Sequence, residues 1–266
     1  MKKTLIALTI AASAAVSGSA MAADWVQNGT GGSVDMGGTL TPADAVTPWE
    51  VKTGDPVTNL DGHIKKGLRT ANIAVNNAIP VLGIRTQSRD AFVGAPGIAP
   101  NIDYKGAIDV ATFADGVTAL SLTVNDKDSG NKIGTLTTDL TAGAMYSWKK
   151  INEDRGDSFG LHSINQTNQL FNGGLSSKSG GSMTPADLLA KANVIFPGSM
   201  DNYTNQGFEP TYNYWSGVED DETTHSAFYA SGIEAGKIIK ITLDNQVTGD
   251  AQINWKASLP VTVSYQ

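Results

Sequence analysis

The sequence predicts an all-β fold interrupted by a mixed segment: strands, an irregular insert over residues 145–222, then strands again. Three observations lead there. The last eight residues alternate cleanly, with Leu259, Val261, Val263 and Tyr265 on one face and Thr262, Ser264 and Gln266 on the other. Glycine is abundant at 29 residues, which favours many turns and short strands over long helices. Residues Ala119–Thr138 read as a hairpin: Leu120, Leu122 and Val124 alternate, Asp126–Asn131 turn, and Ile133–Leu136 return. With 266 residues and 40% hydrophobic side chains, the chain can bury a sizeable core.

The net charge is −7 and no stretch concentrates Lys and Arg, so there is no electrostatic footprint for nucleic acid. Residues 1–22 read as a secretory signal peptide. Lys2 and Lys3 are its charged region, Leu5–Val16 its short apolar core, and Ala20-Met21-Ala22 an A-x-A cleavage site ahead of Ala23. The expected route is export through the periplasm. The chain has no cysteine, which excludes disulfides, thiolate metal sites and thiol nucleophiles.

In chain order, Gly32–Leu40 is a glycine-rich strand. Val34, Met36 and Leu40 share one face with Gly38, and Ser33, Asp35 and Thr39 share the other. Such a strand is a poor independent hairpin because free glycine has high backbone entropy, so it needs a ready-made groove. An ordinary first strand of the same domain is the competing reading. Thr41-Pro42-Ala43-Asp44 stops it. Trp49–Lys52 and Leu68–Ile79 read as strands, with an apolar continuation to Ile84. Ile102, Tyr104, Ile108 and Val110 suggest a strand pair turning at Lys105-Gly106. The Asp126–Asn131 turn lacks the register of a calcium loop. Within the insert one helix is well signalled, with Thr184 as N-cap, Pro185 at N1 and Asp187 at N3, stopping before Pro197-Gly198. Strands resume at Ala227–Ile233, turn at Glu234–Gly236, and continue over Lys237–Leu243.

No catalytic constellation emerges, so the chain reads as a non-enzyme with neither metal nor cofactor. His63, His162 and His225 lack metal-ligand spacing. There is no G-x-S-x-G elbow, phosphate loop or dinucleotide fingerprint. Glu219–Glu222 reads as a solvated acidic loop. One binding constellation stands out: Trp148, Tyr203, Tyr212, Tyr214 and Trp215, amid many asparagines, are candidate glycan-binding residues. Sugars combine apolar C–H faces with hydroxyls, which aromatic platforms and amides match. The competing reading places these rings in the insert's own core.

The leader, G-S-V-D-M-G-G-T-L-T at Gly32–Thr41, W-E-V-K at Trp49–Lys52, G-I-E-A-G-K at Gly232–Lys237 and the penultimate Tyr265 together resemble the chaperone–usher fimbrial subunits. Within that class the chain is most similar to major subunits of the kappa-class adhesive fimbriae of enterotoxigenic enteric bacteria. The resemblance is weak over Met145–Glu222. It implies an incomplete immunoglobulin-like sandwich (a pilin fold) spanning 44–266, completed by donor-strand exchange. Residues 23–43 would be the donor-strand extension, with Val34, Met36, Gly38 and Leu40 as its groove-filling positions. Leu259, Val261, Val263 and Tyr265 would line the edge that meets first a periplasmic chaperone and then the donor. The insert at 145–222 would be a receptor-binding subdomain. Implied partners are identical subunits in a head-to-tail fibre on the cell surface, the chaperone, an outer-membrane usher and a host glycan receptor. The readings that compete are a minor or tip subunit, a small outer-membrane β-barrel and a secreted carbohydrate-active enzyme.

Overall fold

The computed structural model describes residues 27–28, 36–39 and 46–266. The leader and the donor positions Val34 and Leu40 lie outside the described residues. The chain divides into two units, residues 1–43 and 44–266. In the first, Met36 is exposed, and a Cβ at Gly37 or Gly38 would meet nothing within 4 Å.

The second unit is all-β with an immunoglobulin-like layering. Its strands are β1 (Trp49–Thr53), β2 (Thr70–Ala74), β3 (Ile79–Thr86), β4 (Phe92–Val93), β5 (Pro100–Asp103), β6 (Val117–Asp126), β7 (Lys132–Lys150), β8 (Gly156–Leu161), β9 (Asn213–Tyr214), β10 (Thr223–Ile233), β11 (Ile238–Leu243), β12 (Trp255–Ala257) and β13 (Thr262–Tyr265). The helix α1 spans Pro185–Ile195. The large sheet runs β1-β3-β10-β7-β11-β2, and β13 pairs with β5 in a second, two-stranded sheet.

β7 is the spine. Its first half pairs with β6 on one side and β11 on the other, and its second half with β8 and β10. The two halves differ in burial. From Leu136 to Leu140 buried and exposed residues alternate, whereas Thr141–Ser147 is buried on both faces. One face there (Ala142, Ala144, Tyr146) joins the main core with Tyr229 of β10. The other (Met145, with Phe228 and Ala230 of β10) packs under α1 through Leu188, Ala192 and Ile195. Two glycines let the helix approach. A Cβ at Gly143 would lie 2.7 Å from Leu188 Cδ1, and one at Gly83 would run into the Phe196 ring. Opposite the large sheet, Tyr104 ties the layers together, its hydroxyl 2.8 Å from that of Tyr229 and 2.7 Å from Ser231 Oγ. Burial pushes the Tyr104 hydroxyl up to about 12.

The hairpin at β6–β7, the β10–β11 pair and α1 form as the sequence predicts. Thr184 Oγ1 accepts from Asp187 N at 3.2 Å, and the helix ends at Ile195. Three expectations are corrected. Leu68–Ile79 is not one strand. It breaks at Asn76-Asn77 into β2 and β3, which occupy separate places in the sheet. Pro80, which cannot donate to a ladder, sits where the β3–β10 register shifts. The expected return strand after Lys105-Gly106 is absent among the described residues. Asp109 Oδ1 accepts from Ala111 N at 2.9 Å and closes a short 3-10 turn over Val110–Thr112, a local bond that competes with a ladder. Met145–Lys150, assigned to the insert from sequence, are the second half of β7. The chain leaves β7 at Ile151 and rejoins the sheet in β8 and β9 before β10.

Candidate functional site

The end of the chain defines the principal site. β12 pairs only with β6, and β13 only with β5, so among the described residues the opposite edge of this terminal segment has no strand partner. The predicted alternation holds: Leu259, Val261, Val263 and Tyr265 are half-buried against the core, and the residues between them are exposed.

Beside this edge lies a groove of about 1320 Å³. Leu259 and Val261 form part of its wall. Its floor is apolar, built from Ile73 of β2, Leu120 and Leu122 of β6, Leu136 of β7 and Ile239 of β11. These side chains converge because β2, β11, β7 and β6 are consecutive in the sheet and alternate apolar with exposed residues along their length. The opposite wall is the segment after β1, from Gly54 to Ile64. The rim is polar, with Asp55, Asp61, His63 and Asp250. Val263 and Tyr265 pack against the same core but do not line the groove. An apolar trough bordered by an unpaired strand edge can accept an extended chain, which satisfies the edge's backbone groups and buries alternate side chains.

The aromatic candidates separate into two groups. Tyr212, Tyr214 and Trp215 form an exposed ledge, 42%, 48% and 37% accessible. The Tyr214 and Trp215 rings stack at 5.4 Å and 20°, and Phe159 underlies the ledge, stacked on Tyr212 at 5.4 Å. β9 holds these residues through a short parallel pairing, with Gly160 N donating to Tyr212 O and His162 N to Tyr214 O, each at 3.0 Å. Gly160 permits it, since a Cβ there would collide with Asn213 Oδ1. Tyr212 donates its hydroxyl to the Asp157 carboxylate; loss of solvation and that carboxylate push the phenol up to about 12.

The other two candidates play packing roles. Tyr203 is half-buried against the cluster under α1, its hydroxyl 2.7 Å from Ser158 Oγ. Trp148 packs against the main core and carries the Arg155 guanidinium 6.0 Å from its ring centroid. Near the ledge, His162 Nδ1 and Gln169 Nε2 are buried without a hydrogen-bond partner among the described residues, and the His162 ring lies 6.4 Å from that of Tyr214. Burial pushes the His162 imidazole down.

Sequence reasoning missed Asp157 and Phe159. Their signal is the apolar spacing of Phe159 and Leu161 within Gly156–Leu161, which forms β8. It also passed over Leu60 and Ile64 in the groove wall, whose signal is two isolated apolar residues four apart in a polar stretch.

Over residues 1–266 the chain matches the protein family described as fimbrial, major and minor subunit. It is 31% identical to the F41 fimbrial protein of Escherichia coli across the full length of both chains. It is 31% and 32% identical to the K88 fimbrial proteins AB and AC of the same organism, again over the whole of each chain. A family match from end to end, with relatives above 30% identity aligned over their entire length, makes this chain a member of that fimbrial subunit family: a non-enzymatic, structural component of a polymeric surface fimbrium.

Proposed function

We propose that this subunit polymerises head-to-tail by donor-strand exchange. Val34, Met36, Gly38 and Leu40 of one copy enter the groove of the next, alongside the Leu259–Tyr265 edge, with Gly38 at the narrow point. The observation that supports this reading is the apolar groove bordered by the unpaired edge of the terminal segment. An exposed apolar edge is an aggregation hazard, so a periplasmic chaperone covers it after export and an outer-membrane usher exchanges chaperone for donor. Deleting Asp24–Leu40 tests the reading. The variant is expected to bind chaperone and give no fibres by electron microscopy, and fibres of ordinary length from it would overturn the proposal. A bulky residue at Gly38, such as Gly38→Leu, is expected to slow fibre growth.

A second role is adhesion to host glycans through the region between β7 and β10. The exposed Tyr212–Tyr214–Trp215 ledge supports it, because stacked rings present a flat apolar face to a sugar while the neighbouring Asp157 carboxylate can meet hydroxyls. Trp148 and Tyr203 brace this region from the core side. Replacing both Tyr214 and Trp215 by Ala is expected to abolish glycan-array binding by assembled fibres while leaving fibre formation intact. Unchanged binding would remove the ledge from the receptor site.

A further inference from the structure

The groove wall opposite the terminal strand is a segment with an unusual set of attachments. Asp55–Lys66 is twelve residues without helix or strand, a length at which loops in compact domains are commonly lids or binding elements. Among the described residues, none of its backbone N–H groups donates a hydrogen bond. Every side chain in it is exposed except Leu60 and Ile64, which are half-buried against the main core. Gly62, between them, lies flat on the groove floor, where an added Cβ would come within 2.8 Å of Ile73 Cγ1. The segment is fastened at both ends. Gly54 N donates to Val81 O at 3.1 Å, and at the far end Gly67 and Leu68 exchange backbone bonds with Val247 while Lys66 pairs with Asp250. That ion pair is exposed and correspondingly weak.

We infer that Asp55–Lys66 is a displaceable strap, with Leu60 and Ile64 holding places on the groove floor that the incoming donor strand takes over. The inference rests on the groove being the donor-strand site. Three features favour displacement over a fixed wall. A permanent wall beside a buried apolar floor would have its backbone paired, since polar backbone groups facing an apolar site are costly, and this one is held by two side chains. Those two sit four residues apart in an otherwise exposed run, so lifting the strap uncovers little beyond the floor itself. The firm attachments lie at its two ends, where a hinge belongs, and its middle carries none. The strap lowers exposure of the groove before assembly, and it makes donor entry depend on how often the strap is lifted.

The absence of native cysteine allows a reversible test. Gly62→Cys with Ile73→Cys would place two sulfurs across the strap–floor contact, at a separation compatible with the Cβ–Cβ range of about 3.5–4.5 Å that a disulfide spans. The measurement is capture of a fluorescent peptide of residues Gly32–Thr41 by the full chain, followed by anisotropy. If the strap is down about nine-tenths of the time, releasing it speeds capture about tenfold, because only the open fraction binds. Leu60→Ser with Ile64→Ser is expected to show that acceleration. The oxidised cysteine pair is expected to capture little or no peptide and to recover on adding reductant. Equal capture by oxidised and reduced protein would overturn the strap while leaving the groove as the donor site. Failure of wild type, reduced and serine variants alike to capture peptide would overturn the groove reading and the strap with it.

Discussion

His225 sits in β10 between the rings of Phe92 and Tyr146, its Nδ1 2.7 Å from the Tyr146 hydroxyl and its Nε2 3.3 Å from Asp220 O. The neutral form with the proton on Nε2 satisfies both contacts, accepting from the tyrosine and donating to the carbonyl. Burial pushes the His225 pKa down, as it does for His162, and it raises that of Tyr146. Both imidazoles take a proton more readily when unfolded, so their contribution is complete above the unfolded value near 6.5 and is lost as pH falls through the lower folded values. Asp220 adds the same sign lower on the scale. Hydrogen bonds from Thr223, Lys150 and Glu222 N hold its carboxyl down to about 2, so its contribution is lost as pH falls below about 4. The melting temperature is expected to drop between pH 7 and pH 5, and His225→Gln is expected to flatten that drop. An equal slope in the variant would remove His225 from the account. None of this was legible in the sequence, where His225 is one of three scattered histidines. Its environment comes from β4, β7 and the acidic loop meeting at one end of the sheet.

At the scale of elements, the legible parts were those whose chemistry is local. Thr184, Pro185 and Asp187 specify a helix start within four residues, and α1 begins there. Thr184→Ala is expected to cost about 1 kcal/mol by loss of the cap, read from chemical denaturation. The strands β6, β11 and β13 were legible because one face of each is apolar and the other wet. The second half of β7 was not, since α1 covers the face that would otherwise be exposed and removes the alternation. That is why residues from Met145 onward read as irregular. Gly83 and Gly143 belong to the same device, clearing space for Phe196 and Leu188. Gly83→Val is expected to destabilise by about 1–3 kcal/mol through overpacking against the Phe196 ring, checked in the same denaturation series.

At the scale of the molecule, the sandwich leaves an apolar groove beside the edge of its terminal segment. The edge itself was legible as alternation at the end of the chain. The groove was not, because its lining comes from positions as far apart as Leu60 and Val261 and exists only once β2, β6, β7 and β11 are side by side. The aromatic ledge was legible as a cluster of residue types, and the fold separated Trp148 and Tyr203 from the exposed trio. In the proposed fibre this groove receives the Val34–Leu40 strand of another copy. Intermolecular disulfide trapping tests it most directly in a chain with no native cysteine. Val261→Cys, which lines the groove, is combined with Met36→Cys, and in a second variant with Val34→Cys to cover the neighbouring register. Oxidised fibres are expected to give a ladder of denaturant-resistant, reductant-sensitive multimers from at least one of the two. Intact fibres of both variants that dissolve to monomers without reductant would contradict the claim.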